Sequence, residues 1–377
     1  MKKEDLKILS NKTHPKIRLN SICPYFTMFP LQFPYNLLQK AKKTDVVYDP
    51  FCGRGTTNFA ARLLGIDSYG VDSNPVAGAI AQSKLVNVKP AAIVNLCLDI
   101  LLSTNPKNVP SGEFCEWAFD ADTLNDICKI REYLNNKSSL TKTEIALRAI
   151  ILGVLHGPIM KGDPSYLSNQ MPRTFATKPE YSVNYWKKEN LVPKYVGLVP
   201  LIKRRSEYIF NDQIPKNANG KIILADSRNV KHIIDKKFTW TITSPPYFGM
   251  STYPQDQWLR NWFLGDSDKV NYSTKSQIKH YSENVFVSDL SEVWKNVAIK
   301  STCNANLFIR FGALPSKSDK TPSYLIKESL KLADCGWKIT TIKNAGQPTD
   351  STRQANQFKN STGKYVEEID VYAVLKN

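Results

Sequence analysis

The sequence has few histidines and no paired cysteines, which argues against a structural zinc site and a disulfide framework. The four histidines form no ligand pair, the seven cysteines are irregularly spaced, and no CxxC occurs. No apolar run approaches the roughly 20 residues that a membrane-spanning helix needs. The N-terminus has no apolar stretch behind its lysines, so no signal peptide is predicted. These absences favour a cytoplasmic protein without a membrane segment or a bound metal.

Acidic residues are scarce relative to basic ones. Lys and Arg total 51 and Asp and Glu total 34, which gives a formal net charge of +17. This excess favours a polyanionic partner, because basic side chains that neutralise phosphates release counterions. A basic but inert surface explains the charge equally well. The 377 residues, 42% of them hydrophobic, suffice for a sizeable core and more than one domain.

The first recognisable pattern is a strand, a glycine-containing loop, a helix and a second strand. Residues 45–48 form a short apolar run that leads into Asp49, and residues 56–64 are predicted as a helix. Residues 66–71 form a second strand that ends at Asp72. This order is half of a doubly wound α/β sheet.

The pattern becomes largely helical after the first half-sheet and then returns to strands. Further strands are predicted at residues 221–225, 239–243, 306–311, 337–342 and 369–375. The sequence therefore predicts three parts: residues 1–90 as the N-terminal half of a core, 91–220 as a helical insertion, and 221–377 as the C-terminal half.

The loop that follows the first strand has features of a nucleoside-binding turn. Gly53 and Gly55 let the backbone bend sharply and approach a ligand, and the next helix points its free N–H groups at the same place. Asp72 ends the second strand, where a carboxylate can accept ribose hydroxyls. Asp226 ends the third strand and can accept an adenine amino proton. An ordinary βα turn with incidental acids is the alternative.

The loop from Asp49 to Thr57, DPFCGRGTT, resembles motif I of the amino-methylating DNA methyltransferases. The resemblance implies a Rossmann-like class I methyltransferase sheet, mostly parallel with an antiparallel last strand, and S-adenosylmethionine as the cofactor. It implies cofactor contacts for Asp49, Phe51, Gly53, Gly55, Thr56, Asp72 and Asp226. Residues 21–34 resemble the segment that closes over the methionine end, with Phe26 and Thr27 as candidates. An aromatic strap on the core is the alternative there.

A second turn, Ser244-Pro245-Pro246-Tyr247, follows a predicted strand and has the residue types that amine methylation needs. A conjugated exocyclic amine is a poor nucleophile and must be held in line while fixed oxygens accept its N–H protons. The Ser244 hydroxyl and the Pro245 carbonyl can accept them, because a Pro-Pro unit is stiff. Tyr247 can stack on an extruded base. A structural stop after the strand is the alternative.

The TSPPY stretch, residues 243–247, resembles motif IV of the same family, in which SPPY accompanies mainly cytosine N4 methylation and DPPY mainly adenine N6 methylation. The carbon-5 cytosine enzymes use a Pro-Cys nucleophile, and no Pro-Cys dipeptide occurs here. The cofactor motif precedes the catalytic motif, whereas many relatives with this loop have the reverse order. The chain therefore resembles a circularly permuted variant.

Two regions are candidates for reading DNA. Residues 166–186 mix amide, basic and aromatic side chains, which suit base-edge contacts and stacking, and residues 343–364 form a basic, amide-rich loop. The candidate contacts are Gln170, Arg173, Lys203, Arg204, Arg205 and Arg353. The alternatives are an aromatic helical cap, a solvated helix face and a flexible hairpin. Trp258 and Trp262, at i and i+4, are predicted to pack in the core.

These features together predict a site-specific methyltransferase that acts on the N4 amine of a flipped cytosine in duplex DNA. A restriction-modification or phage-defence setting, with a cognate endonuclease as partner, is expected. The alternatives are an N6-adenine DNA methyltransferase, a tRNA amino methyltransferase, and a non-catalytic nucleic-acid-binding subunit.

Overall fold

The core of the protein is a seven-stranded sheet. A computed structural model describes residues 3–25, 29–159, 164–172, 178–211, 213–216, 218–229, 235–249, 257–270, 278, 282–313, 318, 320–345 and 367–376. The strands are β1 Val46–Asp49, β2 Asp67–Asp72, β3 Gly220–Leu224, β4 Phe238–Thr243, β5 Ser301–Ala313, β6 Trp337–Asn344 and β7 Glu367–Leu375. They lie in the order β3-β2-β1-β4-β5-β7-β6.

The sheet is parallel except for its last strand in the chain. β7 runs antiparallel to both β5 and β6, between which it is inserted, and the pairs from β3 to β5 are parallel. This arrangement confirms the predicted α/β class with a mostly parallel, Rossmann-like methyltransferase sheet and an antiparallel last strand. In such a sheet the carboxyl ends of the parallel strands share one edge, where ligands bind.

Helices cover both faces of the sheet. They are α1 Lys3–Ser10, α2 Gln32–Leu38, α3 Thr56–Leu63, α4 Pro75–Ser83, α5 Pro90–Ser103, α6 Glu113–Ala118, α7 Ala121–Asn135, α8 Lys142–Val154, α9 Pro179–Lys188, α10 Leu198–Ile209, α11 Trp258–Phe263, α12 Glu283–Ile299 and α13 Pro322–Ala333. Several begin at the signals expected from sequence: the Asn74 side chain caps α4 before Pro75, and Thr141 and Glu144 form a capping box on α8.

The predicted insertion is helical, and it packs on one face of the sheet. Its described helices α5 to α10 lie between residues 90 and 209, and they share a hydrophobic core with β1, α3 and α4. The contact with the N-terminal segment is close, since a Cβ on Gly153 would lie 2.1 Å from the Ile22 carbonyl oxygen. The opposite face is covered by α12 and α13, whose Trp294 and Leu325 are fully buried. The division into three parts at residues 90 and 220 stays a prediction.

Among the described residues, no helix is both long enough and apolar enough to cross a membrane.

Candidate active site and cofactor loop

The two predicted motifs leave the sheet side by side. β1 pairs with β4 in parallel register, Val47 opposite Trp240 and Tyr48 opposite Thr241. At the ends of these strands the Thr243 hydroxyl donates a 2.7 Å hydrogen bond to Oδ1 of Asp49. The cofactor loop and the catalytic turn therefore begin at Asp49 and Thr243, two residues that are hydrogen-bonded to each other.

The cofactor loop turns through two glycines in left-handed conformation. Gly53 has φ +49° and Gly55 has φ +75°, a region that other residues rarely adopt. A Cβ on Gly55 would lie 2.9 Å from the Cβ of Ala81, so this glycine also permits close packing of the loop on α4. A Cβ on Gly53 would meet nothing within 4 Å. The loop is thus packed at Gly55 and open at Gly53.

Asp72 ties the loop to the end of β2. Its Oδ2 accepts a 2.8 Å bond from the Gly53 N–H, and its Oδ1 accepts a 2.8 Å bond from the Asn74 N–H. Burial raises the pKa of Asp72, and these backbone N–H groups partly offset the rise. A carboxylate has about four acceptor sites, and the N–H groups of Gly53, Asn74 and Ser73 use three of them, so acceptor capacity remains for a ligand hydroxyl. The predicted ribose contact stays a prediction that this geometry permits.

Asp49 lies beneath the loop and is fully buried. Its Oδ1 accepts hydrogen bonds from the Thr243 hydroxyl and from the Phe51 N–H, at 2.7 and 3.1 Å. Its Oδ2 has no hydrogen-bond partner among the described residues, and neither has the buried Thr56 hydroxyl. Burial raises the pKa of Asp49 to about 6, and the bonds from Thr243 and the Phe51 N–H offset only part of the rise.

These features fit S-adenosylmethionine. A loop that is open at Gly53, an acid at the end of the next strand, and two buried polar atoms without partners suit a polar nucleoside ligand. Phe51 lies half-buried at the loop, with its ring edge-on to Trp294 at 6.4 Å. Gly53, Asp72 and the half-buried face of Phe51 would hold the cofactor, and Asp49 would act from below.

Asp226 follows β3, next to the end of β2, as the sequence predicts. Its carboxylate already accepts hydrogen bonds from the guanidinium and the backbone N–H of Arg228, which also pairs with Asp289. Burial raises the pKa of Asp226, but the bonds from Arg228 outweigh it and hold that pKa below its usual value. An adenine contact would have to share this carboxylate with Arg228, and it stays a prediction.

The catalytic turn leaves β4 with its tyrosine pointing into the core. Ser244 and Pro246 are half-buried, Pro245 is buried, and Tyr247 is 6% exposed. The Tyr247 ring lies edge-on to Phe311 at 5.8 Å. Its hydroxyl donates a 2.9 Å hydrogen bond to Oε1 of Glu368 on β7. The predicted stacking of Tyr247 on a base stays a prediction, and only a small part of this ring is open to such a contact.

Three neighbours of the site were not predicted as functional residues: Thr243 as the bond to the cofactor strand, Arg228 as the partner of Asp226, and Glu368 as the partner of Tyr247. Thr243 adjoins the SPPY motif and Arg228 lies two residues after Asp226, so local spacing could have suggested both. Glu368 is 121 positions from Tyr247 along the chain and carries no local signal.

The candidate DNA contacts of the insertion face in different directions. Lys203 is exposed and pairs with Glu207 at 2.6 Å, and Arg204 is exposed and donates to the Pro164 carbonyl. Arg205 is half-buried, and its Nε is buried without a partner among the described residues. Gln170 is half-buried. Helix α10 therefore presents Lys203 and Arg204 to solvent and turns Arg205 inward.

Four predicted contacts, Phe26, Thr27, Arg173 and Arg353, lie outside the described residues. The prediction that Trp258 and Trp262 pack in the core is confirmed, since they are 6% and 4% exposed. All seven cysteines are free thiols. In the described part of the chain, no group of three or more His, Cys, Asp or Glu side chains could hold a metal ion.

Comparisons with known proteins agree with the predicted family resemblance. A family model described as a DNA methylase, whose name covers N6 and N4 methylation, matches residues 4–83, which include the cofactor loop. Type II methyltransferase M.BsoBI of Geobacillus stearothermophilus is 23% identical over 306 residues, and the alignment covers 74% of this chain and 59% of the relative. Type II methyltransferase M.MvaI of Kocuria varians is 21% identical over 284 residues, or 68% of this chain and 60% of the relative.

A third relative has a higher sequence identity over a shorter stretch. Type II methyltransferase M.MjaII of Methanocaldococcus jannaschii is 32% identical over 142 residues, or 37% of this chain and 26% of the relative. The chain thus spans about three fifths or less of the length of these relatives. The family match and the relatives confirm the predicted resemblance to the amino-methylating DNA methyltransferases, and with it S-adenosylmethionine as the cofactor.

Proposed function

We propose that this chain, a relative of the amino-methylating DNA methyltransferases, transfers a methyl group to the exocyclic N4 amine of a flipped cytosine in duplex DNA. The observation that carries the proposal is the bond between Asp49 and Thr243, which joins the end of the cofactor strand to the residue before Ser244. The Ser-Pro-Pro-Tyr form of the catalytic turn favours cytosine N4 over adenine N6.

The proposed chemistry is direct transfer to a held amine. When bound, S-adenosylmethionine supplies a methyl group on a positively charged sulfur. The Ser244 hydroxyl and the Pro245 carbonyl accept the two N–H protons of the amine and align its nitrogen with that methyl group. Half-buried Ser244 and buried Pro245 lie in a partly dry environment, where such hydrogen bonds act more strongly than in water. No covalent nucleophile of the protein takes part: the new nitrogen–carbon bond would form as the methyl–sulfur bond breaks, S-adenosylhomocysteine would leave, and the surplus proton of the methylated amine would pass to water.

The test of this proposal is the identity of the product nucleoside. The protein is incubated with methyl-labelled S-adenosylmethionine and duplex DNA, the DNA is digested, and the nucleosides are separated. We expect the label in N4-methylcytosine. Label in N6-methyladenine alone would overturn the choice of base, and transfer to tRNA but not to duplex DNA would overturn the choice of substrate. A reaction without DNA provides the blank.

We further propose that the chain is the modification arm of a restriction-modification or phage-defence system and that a cognate endonuclease is its partner. The relatives named type II methyltransferases support this setting. Methylation-aware sequencing of DNA from cells that express the chain would give the recognised site. Methylation scattered over unrelated sequences would contradict a site-specific role.

The exposed face of α10 is proposed to contact the DNA backbone. Arg204 is exposed and donates to the Pro164 carbonyl, and its permanently charged guanidinium can pair with a phosphate at the surface. Arg204→Ala is expected to weaken DNA binding and to reduce the slope of log K against log salt by about 0.9, the loss of one phosphate contact. Lys331→Ala on α13, an exposed lysine on the opposite face of the sheet, is the control. Equal slopes for both variants and the wild type would contradict the contact.

A further inference from the structure

Glu368 is a buried carboxylate on β7 that reaches the catalytic turn from the far side of β5. It is 8% exposed, and it lies opposite Gly312 in the antiparallel pairing of β7 with β5. The catalytic turn runs along the same part of β5, where Phe248 forms a bridge with Ala313. The strand register therefore places Glu368 beside the turn, and its Oε1 accepts the 2.9 Å bond from the Tyr247 hydroxyl.

The Tyr247 hydroxyl is an important partner of Glu368, because the nearby cation, Arg310, is paired with another carboxylate. Arg310 lies within electrostatic range of Glu368, but its guanidinium makes a bidentate pair with Asp370 at 2.7 and 2.8 Å. The two charges of that pair largely cancel. A buried carboxylate is costly unless a donor satisfies it, so the bond from Tyr247 stabilises Glu368 and, reciprocally, fixes the tyrosine.

The arrangement extends from Tyr247 to the residue that is proposed to hold the amine. Burial and the adjacent Glu368 raise the pKa of Tyr247 well above its usual value, so its hydroxyl stays protonated and donates. Ser244 is separated from Tyr247 only by Pro245 and Pro246, and a Pro-Pro unit is stiff. A fixed Tyr247 therefore restricts the backbone of the turn from which Ser244 projects.

We propose that Glu368 is a positioning residue for the catalytic turn: by accepting the hydrogen bond of the Tyr247 hydroxyl, it fixes Tyr247 and through it the stiff turn that carries Ser244. The proposal rests on the proposed function, because the turn is taken as the place where the amine is held. Glu368 itself acts through Tyr247 and not on the substrate.

The test compares Glu368→Ala and Glu368→Gln in the full chain, with methyl transfer to DNA measured at saturating S-adenosylmethionine. Glu368→Ala is expected to lower kcat by about 100-fold, since a small misplacement of reacting groups has an effect of this size, with the KM for the cofactor unchanged. Glu368→Gln is expected to stay within about threefold of the wild type, because the amide oxygen can accept the same bond.

The control is a second buried carboxylate that is bonded to a tyrosine, Glu144, which also pairs with Lys137 and forms the capping box of α8. Glu144 on α8 is 2% exposed and accepts a 3.1 Å bond from the Tyr133 hydroxyl, far along the chain from the turn. Glu144→Ala reports the effect of losing a buried, tyrosine-bonded carboxylate on stability alone. It is expected to lower the melting temperature while kcat of the folded fraction is kept.

Hydrogen–deuterium exchange gives a readout besides activity. The backbone amides of Ser244 and of residues 247–249 are expected to exchange faster in Glu368→Ala than in the wild type, Glu368→Gln or Glu144→Ala. A kcat for Glu368→Ala equal to that of Glu144→Ala, or a Glu368→Gln as impaired as Glu368→Ala, would overturn the positioning role. Failure of the proposed function is distinct, since it is read from the wild type alone, as a product other than N4-methylcytosine or as no transfer to DNA.

Discussion

Ser244→Ala is expected to lower kcat for methyl transfer by about 10²- to 10³-fold, the size seen when one preorganised hydrogen-bond partner of a reacting group is removed. The side chain is proposed to accept an N–H of the amine while that nitrogen gains positive charge, and an alanine cannot replace this acceptor. The binding of S-adenosylmethionine is expected to stay near that of the wild type, because the loop residues Gly53 and Asp72 are untouched. Single-turnover transfer and calorimetric titration with the cofactor measure the two quantities.

A matched variant separates this role from the loss of any buried hydroxyl. Ser329 on α13 is fully buried, and its hydroxyl accepts a 2.9 Å bond from the Trp294 indole. Ser329→Ala is expected to reduce stability while leaving kcat close to the wild type. If Ser244→Ala transferred methyl groups at the full rate, the amine would have to be held elsewhere, and a non-catalytic role for this turn would gain support.

The strands and the loops between them could be predicted because their signals are local. Short runs of β-branched and aromatic residues end close to an acid or a proline, and the observed bounds of β1, β2 and β4 differ by at most one residue from those predicted. Helix α5 is harder to predict from its sequence. Its exposed face carries Leu98 and Leu102, at 40% and 85% exposure, so the contrast between its faces is weak.

The parts of the site that were missed depend on which strands become neighbours. Asp49 and Thr243 are 194 positions apart, and their bond follows only from the pairing of β1 with β4. Glu368 reaches Tyr247 because β7 is inserted between β5 and β6, an order that no local pattern encodes. Strand neighbours also set the direction of a side chain. The sequence predicts a Tyr247 ring that is open to stack on a base, whereas packing against Phe311 leaves Tyr247 6% exposed.

The burial of Asp49 predicts a second large effect, on the free energy of unfolding and its dependence on pH. The pKa of this carboxylate is raised from its ordinary value of 3.8 to about 6, chiefly by burial. The folded state therefore holds a proton between about pH 4 and pH 6 that the unfolded state has lost, so stability falls as the pH rises through this window. Above pH 6 the folded chain carries the full cost of a buried charge, which for a displacement of this size is about 3 kcal/mol.

Asp49→Asn is accordingly expected to raise the free energy of unfolding at pH 8 by up to about 3 kcal/mol, and to differ little from the wild type below pH 4. The asparagine oxygen can keep the bonds from Thr243 and the Phe51 N–H, and the amide carries no charge to bury. Urea unfolding from pH 4 to pH 8 measures the difference. In the wild type, Arg228 lowers the pKa of the Asp226 carboxylate. Asp226→Asn is therefore expected to reduce the free energy of unfolding at pH 8, the opposite of the effect of Asp49→Asn.

A loss of stability in Asp49→Asn at pH 8 would contradict the assignment of a costly buried charge. A gain would raise the question of why the carboxylate is present, and the position of its unpaired Oδ2 beneath the cofactor loop suggests the answer. Functional sites commonly keep groups that reduce stability. We therefore expect the same variant that unfolds less readily to bind S-adenosylmethionine more weakly, with the difference in affinity largest above pH 6, where the wild-type carboxylate is charged.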